Sequence, residues 1–304
     1  MMVITTPTGD IGSQVLRILL DQAPVHDEKL RVIVRDPARL PGPVREHGLV
    51  DVVTGSHNDP EVLDRAFAGA DAVFWVVPPN PHAPTLEAAF AGFTRPAAAA
   101  FTAHGVRHVV GVSALGRGTP VADRAGFVTA SLAMDDLIAS TGVAYRALDN
   151  PSFMDNLLRQ VDAIRDDGVF TDTLPGDRKV PSAATRDIAA AAVELLRDRS
   201  WTGTGSVPVL GPEDISPDDM ARIMSEVLGR PVRHVRESLD SLGARLTSYG
   251  LGSAYVQGMV DMMRAKNEGL DESVDRTAQG SSPTSFREWC EQVLKPAVEG
   301  GRRT

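Results

Sequence analysis

The segment Thr5-Thr6-Pro7-Thr8-Gly9-Asp10-Ile11-Gly12 joins a short apolar run to a helical pattern. At such a junction the backbone N–H groups that open the helix can face a phosphate. Gly9 would let the backbone approach that group, and Gly12 would let the helix pack closely on the strand. Thr6 stands where the first glycine of the usual three would be, and Pro7 removes one N–H donor. By its own residues the loop reads equally as a phosphate cradle, using Thr6, Thr8, Gly9, Asp10, Ile11 and Gly12, or as a plain strand-to-helix turn. The next apolar run ends in Val34-Arg35-Asp36-Pro37. An acid at this place holds a ribose 2′-hydroxyl, whereas an arginine suits a 2′-phosphate, onto which its guanidinium can fork. Arg35 therefore points to NADP(H) as the cofactor, while Asp36 before a proline also reads as a helix cap.

Other reactive residues are sparse. His82 follows the fourth apolar run and has a side chain whose intrinsic pKa is near neutral, which makes it a candidate acid or a solvated loop histidine. Asp135 and Asp136 are adjacent on a helical pattern and do not face each other, so they are no paired-carboxylate site. His104 and His108 straddle a helix-to-strand turn and lack the i,i+4 geometry of a metal pair, so no metal is expected. Met259, Met262 and Met263 have helical spacing and read as core or as an adaptable apolar lining, to which Tyr249, Tyr255 and Trp289 would add.

Extended runs are predicted at 2–5, 31–35, 50–54, 72–77, 108–112 and 144–148, with amphipathic helical patterns between them. Strand–helix alternation means βαβ units, here a Rossmann-type doubly wound parallel sheet of six or seven strands. The ends of its strands would carry the loops named above. Beyond residue 150 helical stretches dominate, at 152–163, 185–198, 216–228, 238–246, 255–267 and 284–294, with extended pieces at 206–210 and 232–235. The reading is a dinucleotide-binding domain over 1–150 and a smaller, mainly helical substrate lobe over 151–304, some segments of which return to the sheet.

Composition narrows the classes. The 304 residues carry a net charge of −9 and a single cysteine, Cys290, so an internal disulfide is excluded. The acidic balance argues against nucleic acid, which needs a basic face. No apolar run reaches the ~18 residues of a membrane helix, and the N-terminus lacks the basic region of a signal peptide. The expectation is a cytoplasmic protein with a small-molecule substrate, as a monomer or homodimer.

The chain resembles the NmrA-like family, an atypical branch of the short-chain dehydrogenase/reductase superfamily. The resemblance rests on Thr8-Gly9-Asp10-Ile11-Gly12, Val34-Arg35-Asp36-Pro37, Gly69-Ala70-Asp71-Ala72-Val73-Phe74 leading into Val77-Pro78-Pro79, and Gly105-Val106-Arg107-His108 with Val112-Ser113-Ala114. It continues through Thr141-Gly142-Val143, Phe153-Met154-Asp155-Asn156, Arg186-Asp187-Ile188 and Ser282-Pro283-Thr284. It implies that the loop holds the pyrophosphate and that Val77, Pro78 and Pro79 run along the ribose and nicotinamide; Asn150, which also reads as a turn or capping residue, and Phe153 are further candidates for the cofactor set. It places Ser113 on the superfamily's catalytic serine. The superfamily's proton-donating Tyr falls on Phe127 and the Lys four residues later on Ser131, so that pair is missing. The resemblance implies an NADPH-dependent reductase acting on a carbonyl or activated C=C of an apolar, even aromatic, molecule, as in specialised metabolism. The rivals are an NADP redox sensor without turnover, and a non-redox enzyme in a repurposed pocket.

Overall fold

The computed structural model describes residues 1–22, 28–272, 274–276 and 282–300. The strands are β1 (Met2–Ile4), β2 (Leu30–Val34), β3 (Val50–Thr54), β4 (Ala72–Trp75), β5 (His108–Ala114), β6 (Ala144–Asn150), β7 (Ser152–Phe153), β8 (Val169–Asp172), β9 (Ser182–Ala183), β10 (Thr204–Pro208) and β11 (Arg233–Arg236). The helices are α1 (Gly12–Asp21), α2 (Gly42–Arg45), α3 (Pro60–Phe67), α4 (Phe93–Ala103), α5 (Phe127–Ala139), α6 (Val161–Asp166), α7 (Thr185–Arg197), α8 (Pro217–Leu228), α9 (Leu239–Ser248), α10 (Ser253–Asn267), α11 (Phe286–Trp289) and α12 (Lys295–Gly300). None of the described helices is long and apolar enough to cross a membrane.

Seven strands form one sheet in the order β3-β2-β1-β4-β5-β6-β10. β1 pairs in parallel with β2 and β4, β2 with β3, and β4 with β5. This is the doubly wound order the sequence predicts. It reverses between β1 and β4, and such sheets bind ligands outside the carboxyl ends of their strands at that point. β4 stops at Trp75 rather than Val77, short of two prolines that have no N–H for a ladder.

The chain divides into two compact units, and the division is not a single cut at residue 150. The first holds 1–114, 130–149 and 188–207, and the second holds 115–129, 150–187 and 208–304. In the first unit Val3, Trp75, Phe101, Met134 and Tyr145 share one buried cluster. Arg199 ties the returning segment to it, reaching Asp71 at 2.5 Å and Glu28 at 2.6 Å.

The second unit has its own core around Phe170, Met224, Phe286 and Trp289, with β8 parallel to β11 and β7 parallel to β9. The helix predicted at 152–163 is instead β7, a 3₁₀ turn (Met154–Gln160) and α6. Long-range partners account for the change. The Gln160 amide pairs with the backbone of Thr171 like a strand neighbour, accepting at 2.8 Å and donating at 3.0 Å. Asp155 takes the Thr185 N–H and hydroxyl, each at 2.9 Å, and Asp187 takes those of Thr284 at 3.0 and 2.8 Å.

Two widened π-turns were not foreseen, at Ala88–Gly92 and Cys290–Leu294. Each precedes a proline inside the continuing helix, Pro96 and Pro296. A proline cannot bond the carbonyl one turn back and clashes with it, and a π-turn opens the ladder there.

Candidate active site

β1 delivers the chain into the loop, and the loop is built around Gly12. A Cβ on Gly12 would lie 2.2 Å from the Thr6 carbonyl oxygen, so only glycine lets α1 start this close to β1. Thr6 itself sits at φ +48°, a conformation a β-branched residue adopts only under constraint. The missing first glycine is thus replaced by strain and not by a different turn. No side chain caps the N-terminus of α1, and its first turn carries no acid. Its orphan N–H groups and positive dipole end suit a pyrophosphate.

Arg35 is exposed at the end of β2, and Asp36 caps the following 3₁₀ turn by accepting from Ala38 N at 3.0 Å. Arg39, which the sequence reading passed over, is exposed at the end of the same turn. Two guanidiniums on one exposed turn fit a 2′-phosphate. The cradle that a Cβ would fill and this cationic turn together fit an NAD(P)H dinucleotide.

The end of β4 is held by side chains. The Thr5 hydroxyl donates to the Phe74 carbonyl at 2.8 Å and accepts from Val76 N at 2.9 Å. His57 Nε2 lies 2.9 Å from the Val76 carbonyl oxygen. The imidazole is buried edge-on against Trp75 and Phe93. Burial lowers its pKa to about 4, the Val76 bond opposes this, and Arg35 lowers it further. The ring is therefore neutral at physiological pH and donates through Nε2. Thr5 and His57 thus anchor the residue that precedes Val77-Pro78-Pro79. His57 carries no motif and could not have been found by spacing.

Ser113 is buried near the end of β5. Its hydroxyl donates to Asp135 Oδ2 and lies 3.3 Å from Ser131 Oγ. Tyr145 donates to the other carboxylate oxygen at 2.6 Å. Gly111 makes this possible, because a Cβ there would meet the Tyr145 hydroxyl at 2.3 Å. Asp135, dismissed above as half of an adjacent pair, is therefore the hub of a buried network. Ser131, which the resemblance counts at the superfamily's Lys position, thus lies next to Ser113.

His82 is exposed in the loop after β4, where its N–H is taken by the Asn80 side chain at 3.2 Å. These residues, the loop, Arg35 and Ser113 belong to the first unit, whereas Asn150 and Phe153 belong to the second. There Asn150 is buried and its carbonyl accepts from Leu115 N at 3.0 Å, and Phe153 lies in β7. The Phe127 ring packs edge-on against Tyr255, with centroids 4.9 Å apart. A polar cleft of about 490 Å³ in this unit is lined by Arg117, Thr119, Glu268 and Glu272 among others. Burial pushes the Cys290 thiol up to about 12, which leaves it unreactive.

A doubly wound sheet, a glycine-dependent phosphate loop at its first strand and a cationic turn at its second define a Rossmann dinucleotide-binding protein. The model of the NAD(P)H-binding family matches residues 7–199, and the chain belongs to that family. It is 33% identical over 301 residues to the (4-alkanoyl-5-oxo-2,5-dihydrofuran-3-yl)methyl phosphate reductase of Streptomyces griseus, covering 95% of this chain and 96% of that one. It is 31% identical to the NAD(P)H azoreductase of Xenophilus azovorans, covering 86% of each. The crystal structure of the Escherichia coli NADPH-dependent quinone oxidoreductase complexed with NADPH superposes with a TM-score of 0.73 at 22% identity, over 95% of this chain and 98% of that one. The protein is an NAD(P)H-dependent oxidoreductase.

Proposed function

We propose that the protein is an NADPH-dependent reductase for apolar acceptors in which the reducible bond is conjugated, a C=C next to carbonyl groups above all. The observation that carries this is the replacement of the proton-donating pair by Phe127 and Ser131, together with the inward-facing proton of Ser113. General acid catalysis contributes typically ~10²–10⁴-fold. An isolated ketone depends on it, because its reduction leaves a localised alkoxide. A conjugated acceptor spreads the developing charge and depends on it far less. The names of the two relatives agree with this as to the conjugated bond, although the substrate named for the first also carries a phosphate. One acts on a dihydrofuranone bearing an alkanoyl group, whose ring double bond adjoins two carbonyls, and the other acts on azo bonds. That both are reductases favours turnover over redox sensing.

When bound, the reduced nicotinamide supplies the hydride. Gly9, Ile11 and Gly12, with Thr6 and Thr8 beside them, hold the pyrophosphate on the start of α1. Arg35 and Arg39 take the 2′-phosphate. Thr5 and His57 fix the course of Val77-Pro78-Pro79 along the cofactor. Ser113, its proton held by Asp135, orients a bound group by accepting a hydrogen bond.

Titration of wild type and Arg35→Ala with NADPH and NADH tests the cofactor half. Arg35→Ala is expected to weaken NADPH about 10- to 100-fold and leave NADH unchanged, as for the loss of a charge-assisted hydrogen bond. NADPH oxidation with a naphthoquinone, an azo dye, an alkanoyl butenolide and cyclohexanone tests the acceptor half. Turnover with the first three and none with the ketone is expected, and a preference for the ketone overturns the reading.

A further inference from the structure

Thr6 is the only non-glycine residue at positive φ among the described residues, at +48°. Two properties disfavour that backbone here. Threonine branches at Cβ, and the residue before a proline is pushed toward the extended region. The fold nevertheless holds it from both sides. On one side the Thr5 hydroxyl ties to the Phe74 carbonyl and to Val76 N, and the Thr5 N–H donates to the same carbonyl at 3.2 Å. On the other the Thr6 carbonyl accepts from Gly9 N at 3.0 Å, and Gly12 packs against the same oxygen. All of these groups belong to the first unit.

A glycine at position 6 would take this conformation without strain. An outlier that its surroundings over-determine points to a role for the side chain that causes it. Thr5 and Pro7 are buried, and Thr6 between them is half-buried. The Thr6 hydroxyl bonds none of the described residues, so it does nothing for the turn itself. It lies beside Gly9, where a Cβ would stand 3.8 Å from the Thr6 Cβ and 4.0 Å from its Oγ1. Gly9 is the glycine through which the loop approaches a phosphate. Pro7 takes one N–H from this loop, and the threonine next to it adds an O–H.

We propose that the Thr6 hydroxyl donates to the pyrophosphate of the cofactor, standing in for the backbone donor that Pro7 removes, and that the loop keeps a strained threonine for this bond. The inference rests on the cofactor reading above and deepens it. The free protein is less stable than it would be with glycine at position 6, and the bound dinucleotide is held more tightly. NADPH and NADH share the pyrophosphate, so Thr6 serves both, whereas Arg35 and Arg39 serve the 2′-phosphate alone.

The test compares wild type, Thr6→Gly, Thr6→Ala and Thr6→Ser. It reads the melting temperature of the free protein and, by isothermal calorimetry, the affinity for NADPH, NADH and adenosine 2′-monophosphate, which has no pyrophosphate. Thr6→Gly is expected to raise the melting temperature by about 2–4 °C through relief of the strain. It is expected to weaken NADPH and NADH alike by about 10- to 100-fold, as for the loss of a hydrogen bond to a charged group. Thr6→Ala is expected to lose as much affinity, and Thr6→Ser to keep it within about threefold. Affinity for adenosine 2′-monophosphate is expected to stay within about twofold in all four proteins, which a collapse of the loop would not allow. Undiminished NADPH binding by Thr6→Gly overturns this inference and leaves the cofactor reading standing. A lower melting temperature with weaker adenosine 2′-monophosphate binding also overturns it, by making Thr6 a residue of the fold. A wild type that binds neither dinucleotide overturns the cofactor reading and this inference together.

Discussion

His57 and Asp135 show how single buried groups set this protein's polar interior. His57 has a folded pKa of about 4 against 6.5 for a free histidine. The unfolded chain therefore binds the extra proton first as pH falls. The stability His57 contributes is fully present above pH 6.5 and is lost between pH 6.5 and about 4. The gap corresponds to about 3 kcal/mol. Thermal melts of wild type are expected to fall steeply over this window, and those of His57→Gln, which keeps a donor for Val76, to fall less. Asp135 accepts from Ser113 and Tyr145, so its removal takes a buried acceptor from two hydroxyls at once. Asp135→Ala is expected to cost about 2–3 kcal/mol in denaturant unfolding, because two hydrogen bonds to a buried carboxylate are lost together. Tyr145→Phe strands only one acceptor with another donor still in place, and is expected to cost about 1 kcal/mol.

At the scale of elements, glycines at close approaches decide where helices sit. Gly12 places α1 on β1, and Gly126 with Gly258 places α10 on α5. Gly12→Ala pushes a methyl to 2.2 Å from a backbone oxygen, which no rotamer can relieve. It is expected to abolish NADPH binding by isothermal calorimetry while the far-UV spectrum of the rest of the fold persists. The strand–helix alternation of the first half was legible because each element there buries one face against its neighbours in sequence. The stretch 154–160 was not, because its polar side chains serve Thr171 and Thr185, which lie far away in sequence.

At the scale of the whole molecule, the two units are interleaved. The first unit is completed only by residues 188–207, which bring β10 to the edge of the sheet and bury Ala189, Ala192 and Leu196. A chain ending at residue 150 lacks these and leaves Asp71 without Arg199. It is expected to show no cooperative melt and no NADPH-dependent stabilisation. The intact chain at 100 times the dissociation constant is expected to gain about 2.7 kcal/mol. A cooperative, NADPH-stabilised 1–150 fragment would show that the first unit folds without its returning segment.

By itself the sequence determined the doubly wound sheet, the glycine-bearing turn after its first strand and the arginine at the end of its second, and it set Phe127 and Ser131 where the resemblance counts a Tyr/Lys pair. These are local signals, since periodicity, a glycine at a junction and a residue at a counted distance are written in consecutive positions. Only the tertiary structure decided that Thr6 is strained to do a glycine's work, that Asp135 gathers Ser113 and Tyr145, and that Tyr255 stands at Phe127. Each of these joins residues from separate elements, and the backbone must close over them before their side chains can meet.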